Sequence, residues 1–517
     1  MADTIKSEGK DVLQGADAKF ANLEAVERDI EVPFYVYQTP AMRQLYDMCQ
    51  KAARHMLTGH WPGRFDLDNR KNVDEIYWLD QLWKDTWRTF DPDKALVYVL
   101  PIYPVLLYHR SCKEGNRKKI HALADKAVKE VMETPQWERN RGLDHILVLT
   151  DFEFKYPGRM EMVFGRAFST FARNITQGRH LADNHRDLFG CAVTIPHTSS
   201  LTALQKAYQP FEKESLLKRG LIKPTDVFED DRLGSAFDPP SRHDWFQRDY
   251  TMFFQGRTDF GRPYRNLAFE HLAGWHGPNP AKSVFVMAGN KHKTKLSLPD
   301  CPRQENTTRS RDMPIGRFER CKIARKKHKD WLLETSTFMH RLANSKLNLC
   351  FRGTDVTSSR VMDGFWARTL NVLINEVDDA FKYGIPFQCE IPWRNFTYAI
   401  EGSVFEQDPR AALKPILDEL YKDHRAVTKK LRLMDYYSKK ILWNAPKSET
   451  ARSVLRAMTR QCLTDEAKVG FIKRTTKDGT AANVRDHPLF SRCAFVDTSA
   501  KGEEQRNPCA TCDRLHI

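Results

Sequence analysis

The chain has 517 residues, of which 41% are hydrophobic, 29% charged and 11% aromatic. This much apolar material excludes a globally disordered chain, and the length predicts two or more domains. The formal net charge is +15, which by itself points to polyanionic partners. Residues 425–517 hold 19 Lys and Arg against 10 Asp and Glu. Much of the excess therefore belongs to a basic tail, and a nucleic-acid partner is not expected.

The sequence predicts neither a signal peptide nor a membrane span. Its first 20 residues lack the apolar core of a signal peptide, and no run of about 18 apolar residues occurs. The eleven cysteines suit either a secretory protein with a few disulfides or a reduced chain with buried thiols. Sequons at Asn174, Asn306 and Asn395 support a secretory location weakly. A fragment whose membrane anchor is missing is the other interpretation.

Short, continuous apolar runs predict the strands of a first α/β unit. They occur at residues 32–37, 96–100, 145–150 and 191–196. A turn capped at Asp91-Pro92 precedes the second run, and a helix is predicted from about Met42 to Leu57. Runs of this kind, separated by helical lengths, are typical of parallel strands that are buried on both faces.

A second series of strands is predicted at residues 250–254, 283–287, 347–350 and 370–374, followed by amphipathic helix from Asp408-Pro409 to about Trp443. The predicted organisation is a flexible segment 1–30, a first domain 31–225, a linker 226–245, a second domain 246–445 with an insertion at about 291–329, and a basic helix and tail 446–517. Ligands of open α/β sheets bind beyond the carboxyl ends of the strands. The loops after the strands are therefore the places to search for a site.

Two loops of the second domain combine glycine, hydroxyl and arginine residues. The first follows the strand ending at Phe254 and contains Gly256 and Arg257, with Arg265 nearby. Glycine lets backbone approach a ligand closely, and arginine matches phosphate oxygens with paired donors. The alternative is a surface turn before an ordinary charged helix.

The second loop follows residues 347–350. Its candidate residues are Gly353, Ser358, Ser359, Arg360 and Asp363. Hydroxyl and backbone N–H groups at a helix N-terminus form an anion site, and an acid one turn further on can bond ribose hydroxyls. The alternative is a helix start that is merely capped by a hydroxyl.

These segments resemble the donor-site signature of exostosin-type glycosyltransferases (glycosyltransferase family 47). Residues 345–353 (SKLNLCFRG) are similar to Ser-Lys-Phe-Cys-Leu-Cys-Pro-x-Gly, and residues 358–364 (SSRVMDG) to Ser-x-Arg-apolar-x-Asp/Glu-Ala. Further family segments are matched in the same order, by Val36-Tyr37-x-x-Pro40, Asp91-Pro92 to Pro101, Trp137-x-Arg139-x-x-Gly142-x-Asp144-His145 with Asp151, and Phe253-Phe254-x-Gly256-Arg257. The resemblance covers about residues 32–443.

The resemblance implies two Rossmann-like domains that face each other across a cleft (the B-type glycosyltransferase architecture), closed by C-terminal helices. It implies inverting transfer from a UDP-sugar to a glycan or glycoprotein acceptor. Gly256, Arg257, Ser358, Ser359 and Arg360 would then hold the diphosphate, with Arg265 and Gly353 beside them.

By the same resemblance, Asp363 would hold the ribose and Asp151 would be the general base, unless Asp151 only caps a strand end. No cofactor is required, although a divalent metal stays open. The family implies the Golgi. Homo- or hetero-oligomers are not excluded.

Two departures from the family pattern bear on activity. The family has His before the acid aligned with Asp151, where this chain has Thr150, and it has Gly-Cys-Ile-Pro-Val where this chain has residues 368–372 (RTLNV). An inactive exostosin-fold protein that binds glycan or stabilises a partner is therefore the alternative function. A zinc site of Cys493, Cys509, Cys512 and His516 is less favoured than a disulfide or free thiols, because only the Cys-x-x-Cys spacing fits.

Overall fold

The computed structural model describes residues 31–57, 74–109, 112, 117–140, 142–150, 154, 157–180, 191–199, 245–248, 250–257, 264–272, 275, 282–288, 342–352, 356–388, 390–445, 447–463 and 467–468. At some of these, including 256, 257 and 282–288, it describes the backbone alone. The predicted flexible segment 1–30, the insertion 291–329, nearly all of the linker 226–245 and the proposed zinc ligands lie outside the described residues.

The first half of the chain forms a five-stranded parallel sheet. Its strands are adjacent in chain order: β1 (Phe34–Val36), β2 (Val97–Val99), β3 (His145–Val148), β4 (Thr176–Arg179) and β5 (Cys191–Thr194). The pairing brings Phe34 opposite Val97 and Tyr98 opposite His145. Side chains of the first three strands are buried on both faces, apart from half-buried Tyr35. The four apolar runs are thus confirmed as strands, and β4 is an additional strand.

The helices described beside this sheet are α1 (Pro40–Leu57), α2 (Asp74–Lys84), α3 (Pro104–Tyr108), α4 (Arg117–Met132), α5 (Pro135–Asn140), α6 (Pro157–Phe164) and α7 (Arg166–Ala172). Helix α1 buries an apolar stripe that includes Ala41, Leu45 and Cys49. A disulfide joins Cys49 to Cys112. Glu75 accepts hydrogen bonds from the backbone N–H groups of Val105 and Leu106 at 2.9 and 3.0 Å, and so caps α3 from another helix.

The second half forms another five-stranded parallel sheet, with a different strand order. It consists of β6 (Tyr250–Arg257), β7 (Lys282–Ala288), β8 (Ser345–Phe351), β9 (Leu370–Asn375) and β10 (Tyr398–Glu401), arranged as β10-β9-β8-β6-β7. The chain passes from β6 outward to β7 and then returns to the other side of β6 with β8. This reversal is the topological switch point of doubly wound sheets. The predicted α/β class with parallel sheets is confirmed.

The helices of six or more residues described in the second half are α8 (Tyr264–Leu272), α9 (Ser359–Trp366), α10 (Gly402–Gln407), α11 (Pro409–Lys422), α12 (His424–Ile441) and α13 (Thr450–Gln461). Asp408 caps α11 by accepting from the N–H groups of Arg410 and Ala411. The helix predicted to continue to about Trp443 is in fact two helices. Asp423 ends the first and caps the second by accepting from Ala426 N at 2.9 Å.

The C-terminal segment returns to the first half of the chain. Helix α13 packs against α2 and β5, and a disulfide joins Cys191 in β5 to Cys462. The Trp443 indole donates to Pro196 O at 2.8 Å, and Gln81 donates to Trp443 O at 2.6 Å. Residues 443–462, which follow the helices of the second half, therefore connect the second half to the first sheet. The predicted domain boundaries and the cleft stay predictions.

None of the described helices combines the length and apolarity that crossing a membrane requires.

Candidate functional site

A buried polar cluster occupies the motif that contains Trp137 and His145. His145 bonds through Nδ1 to Asp144 Oδ1 and through Nε2 to the Tyr37 hydroxyl, each at 2.7 Å. The Trp137 ring packs edge-on against His145. At Gly142 (φ +91°) a Cβ atom would stand 2.6 Å from two Trp137 ring carbons, so only glycine fits. These contacts give the motif a structural role, joining β1, β3 and α5.

The predicted base, Asp151, belongs just beyond the carboxyl end of β3. The structure describes Thr150 there, buried, but Asp151 itself lies outside the described residues. Its catalytic role therefore stays a prediction.

Two histidines meet at the carboxyl edge of the first sheet, one after β4 and one after β5. The ring centroids of His180 and His197 are 3.5 Å apart. Asp74, at the start of α2, accepts from His180 Nε2 at 2.7 Å and from the Thr198 hydroxyl at 2.6 Å. An imidazole oriented by a buried carboxylate is an arrangement that general-base catalysis uses.

The sequence alone does not reveal this histidine cluster. Asp74 is 106 residues from His180 and 124 from Thr198, and no apolar run marks β4. The signal that the sequence does offer is His197, which directly follows the predicted strand 191–196.

Two of the predicted donor-site arginines converge at the switch point of the second sheet. The Arg265 guanidinium, from α8, lies 5.8 Å from the centroid of the Phe254 ring in β6, and that of Arg360, from α9, lies 5.3 Å from it. Arg265 also donates to Arg352 O at 3.2 Å. Burial lowers the pKa of Arg360, an effect that the nearby Asp363 carboxylate opposes. Two guanidinium groups beside one apolar ring suit a bound anion.

The other predicted donor residues lie along the same edge or outside the described chain. Gly256 and Arg257 end β6, where the backbone alone is described, and Gly353 lies outside the described residues. Ser358 is the N-cap of α9, in an extended conformation and without a capping hydrogen bond from its side chain. Ser359 is the first helical residue. Their contact with a diphosphate stays a prediction.

Asp363, the predicted ribose ligand, contacts the first half of the chain. Ser199, beyond β5, donates from its hydroxyl to Asp363 Oδ1 at 2.8 Å, and both side chains are buried. The adjacent crevice between His197, Thr357 and Met362 is too narrow for a water molecule. A ribose hydroxyl at Asp363 would therefore displace Ser199, share Oδ1 with it or bond to the other carboxylate oxygen.

Two asparagines hold α9 against the central strands. Asn348 in β8 donates to Arg360 O at 2.8 Å and to Asn371 Oδ1 at 2.8 Å, and Asn371 in β9 donates to Val361 O at 3.0 Å. The helix lies so close that a Cβ on Gly364 would be 2.0 Å from Asn371 Oδ1. The amide pair therefore positions the helical turn that carries Arg360.

Arg368 replaces the glycine of the family pattern yet keeps a left-handed backbone, with φ +52°. Its guanidinium is paired with the Asp435 carboxylate on α12 through two hydrogen bonds. Its carbonyl accepts from Trp245 Nε1 at 2.8 Å and from Arg248 at 3.0 Å. These contacts offset the conformational cost of a side chain at this φ, so the turn into β9 persists without glycine.

Within the described parts of the chain, no three His, Cys, Asp or Glu side chains are grouped to hold a metal ion. Whether the protein needs a divalent metal stays open.

A comparison with family models matches residues 31–217 to the Exostosin GT47 domain. This confirms the exostosin resemblance for residues 31–217, which contain the first sheet, and supports a glycosyltransferase-like function. The match ends before the second sheet, so the donor-site signature is not covered by it. A comparison with curated proteins finds no match.

Two solved structures are distantly similar to this chain. The S. aureus MnaA-UDP co-structure is 11% identical and has a TM-score of 0.30, with 79% of this chain and 92% of that chain covered. The Candida albicans trehalose-6-phosphate phosphatase N-terminal domain is 8% identical with a TM-score of 0.31, covering 82% of this chain and 96% of that one. Scores this low carry no argument about function.

Proposed function

We propose, from the exostosin GT47 domain that the chain carries over residues 31–217, that the protein is a glycosyltransferase. It transfers a sugar from a nucleotide-sugar donor, of UDP type, to a glycan or glycoprotein acceptor, with inversion at the anomeric carbon. The observation that carries the donor half of this proposal is the pair Arg265 and Arg360, which converge on Phe254 at the switch point of the second sheet.

The chemistry requires positive charge where the nucleoside diphosphate leaves. As the bond between the sugar and the diphosphate breaks, negative charge builds on the diphosphate oxygens. Hydrogen-bond donors that are already fixed in place stabilise this charge and so lower the barrier. In this proposal Arg360 and Arg265 supply charge-assisted hydrogen bonds, and Ser358 and the first N–H groups of α9 complete the site.

An inverting displacement also needs a base that takes the proton from the acceptor hydroxyl. Asp151, which follows β3 in the sequence, is the candidate from the sequence. His197, whose ring centroid is 3.5 Å from that of the Asp74-oriented His180, is the candidate from the structure. His197 lies at the carboxyl edge of the first sheet, after β5. In the proposed reaction, the acceptor hydroxyl approaches the sugar from this side while the diphosphate stays on the second sheet.

The alternative, an inactive glycan-binding or partner-stabilising protein, rests on a specific observation. The acid expected to hold the ribose is bonded to Ser199, and the adjacent crevice is closed. If these contacts persist in solution, the donor site does not bind a nucleotide sugar, and the protein has no transferase activity.

A panel of nucleotide sugars separates the two functions. We expect UDP or a UDP-sugar to raise the thermal midpoint, since a ligand at 100 times its Kd adds about 2.7 kcal/mol to the free energy of unfolding. Turnover is then measured with the ligand that binds. Asp151→Asn and His197→Gln are each expected to keep the thermal shift, and the variant that lacks the true base loses turnover. Glycan binding with no response to any nucleotide would support the inactive function instead.

The disulfides Cys49–Cys112 and Cys191–Cys462 support a site of action in the secretory pathway, with the Golgi implied by the family, because such bonds persist in oxidising compartments. The sequon residues Asn174 and Asn395 are exposed. In secretory expression, we expect glycosidase treatment to increase gel mobility, and Asn174→Gln with Asn395→Gln to remove that part of the glycan. A chain that carries no glycan and has reduced Cys191 and Cys462 when isolated from cells would contradict this location.

A further inference from the structure

A second cavity of about 490 Å³ lies in the first half of the chain, between α1 and α2. We call it the α1–α2 cavity. Its floor includes Tyr37, which follows β1, and Pro101 and Tyr103, which follow β2. It therefore lies at the carboxyl edge of the first sheet, the edge where open α/β sheets bind their ligands. Its size is within the range of small-molecule sites.

Aromatic rings form one wall of the cavity. Tyr46 stacks on Tyr103 with ring centroids 5.4 Å apart and contacts Trp83 at the same distance. Tyr46 and Trp83 are only half-buried. The axial C–H groups of a pyranose form an apolar face that packs on such rings, while its hydroxyls face the opposite way. Aromatic side chains offer large, rigid contact area of this kind.

The remaining wall carries charged side chains of both signs. Lys84 pairs with Asp80 at 2.8 Å, and Arg43 with Asp47 at 3.9 Å. With Arg54, the lining holds three cations and two carboxylates. The excess is a single cation. The paired charges offer donors and acceptors to neighbouring hydroxyl groups, whereas a site for a polyanion would have a larger surplus of cations.

The cavity is displaced from the place where the two sheets touch. That contact is made beyond β5 by Ser199, whereas the cavity lies beyond β1 and β2. Strands β2 and β5 are three spacings apart in the sheet, which is about 14 Å. With His197, after β5, as the base, a sugar in the cavity is therefore not the unit that reacts, but another unit of the same acceptor chain.

We propose that the α1–α2 cavity is a remote acceptor subsite, which binds a unit of an uncharged oligosaccharide by stacking on Trp83 and Tyr46. This inference rests on the proposed function and narrows it, because it makes the acceptor an extended neutral glycan rather than a polyanion or a bare protein side chain. Binding energy gained at a remote unit holds the reacting end of the chain in place.

The test uses the full chain without nucleotide, so that it does not depend on the donor site. Binding of uncharged glucan, mannan, xylan and galactan tetrasaccharides is measured by calorimetry, with the matching monosaccharides and a charged uronate tetrasaccharide in parallel. We expect one neutral tetrasaccharide to bind more tightly than its monosaccharide. Trp83→Ala is expected to weaken this binding about tenfold, the upper part of the range for an aromatic contact, and Trp83→Phe to weaken it less.

Phe90→Ala is the matched control, because Phe90 is 75% exposed and lies outside the cavity lining, although it flanks the same Arg88 as Trp83 does. It should bind like the unaltered chain. Thermal midpoints check that each variant is folded. Binding of the uronate alone, binding that Trp83→Ala leaves unchanged, or no binding of any neutral tetrasaccharide would each overturn the inference. A chain that binds the tetrasaccharide but, in a separate measurement, does not bind UDP would instead count against the proposed transferase function.

Discussion

Replacing Arg360 with alanine is expected to lower the affinity for UDP by about ten- to a hundredfold, because a hydrogen bond to a charged group contributes about 1.5–3 kcal/mol. Turnover should fall further, by about 10²–10³-fold, because the negative charge on the diphosphate beside the guanidinium is greatest as the diphosphate leaves. Calorimetry with UDP measures the first effect and a sugar-transfer assay the second. Arg360→Lys should recover part of the affinity, because it restores a point charge without the planar fork.

The matched control for this experiment is Arg410→Ala. Arg410 also places its guanidinium beside an aromatic ring, 5.8 Å from the centroid of Trp275, and donates to His271 O at 2.9 Å. It lies on α11 and is exposed, so its loss should leave UDP binding unchanged. If Arg360→Ala folds and binds UDP as the unaltered chain does, the switch point of the second sheet is not the donor site.

Replacing Gly364 with alanine is expected to destabilise the protein by about 3–5 kcal/mol. Alanine favours helix over glycine by about 1 kcal/mol, but the new Cβ would lie 2.0 Å from Asn371 Oδ1 and 2.8 Å from Asn348 Nδ2. Both amides are buried and bonded to the backbone of α9. The clash therefore overpacks the site and breaks buried hydrogen bonds, and these two costs together exceed the gain in helix propensity. Denaturant unfolding measures the difference.

A double-mutant cycle isolates the cause. Asn371→Ala alone should destabilise, because Val361 O loses its donor, but Gly364→Ala combined with Asn371→Ala should be more stable than the sum of the single changes by at least about 2 kcal/mol. Gly158→Ala serves as the control, since Gly158 is an exposed helical residue of α6 where an added Cβ would meet no atom within 4 Å. It should be neutral or slightly stabilising. Additive effects in the cycle would show that the two side chains do not compete for the same space.

The strands that the sequence predicts are those with apolar side chains on both faces. Strand β4 has the sequence Thr-Gln-Gly-Arg, and it is buried only because its polar groups find local partners. Gln177 donates to Ala172 O at 2.5 Å, and Arg179 donates to Phe154 O at 3.1 Å. Hydrophobic patterning cannot predict such a strand, because the strand is polar and its polar groups form hydrogen bonds that exist only after folding.

In the candidate site, too, some residues are predictable from local sequence pattern, whereas others are brought together only by folding. Arg265 and Arg360 were predicted from their places after two strands, and the strand order of the second sheet, which no local pattern encodes, makes those strands neighbours. The histidine pair and Ser199 depend on contacts over more than 100 residues. One residue of the departure at 368–372 also has a physical counterpart in this chain: the amide oxygen of Asn371 lies 2.0 Å from where a Cβ on Gly364 would stand, so the asparagine requires a glycine there.

The bond between Cys191 and Cys462 has a consequence for how the protein is made. These cysteines are 271 residues apart, so β5 emerges from the ribosome long before its covalent partner has been synthesised. Until then, the surface of α2 that α13 covers is open and the Cys191 thiol is unpaired. Exposed apolar surface and unpaired thiols are what chaperones and disulfide isomerases act on. The first sheet therefore completes its packing only after α13 has been translated, so the two halves of the chain mature together.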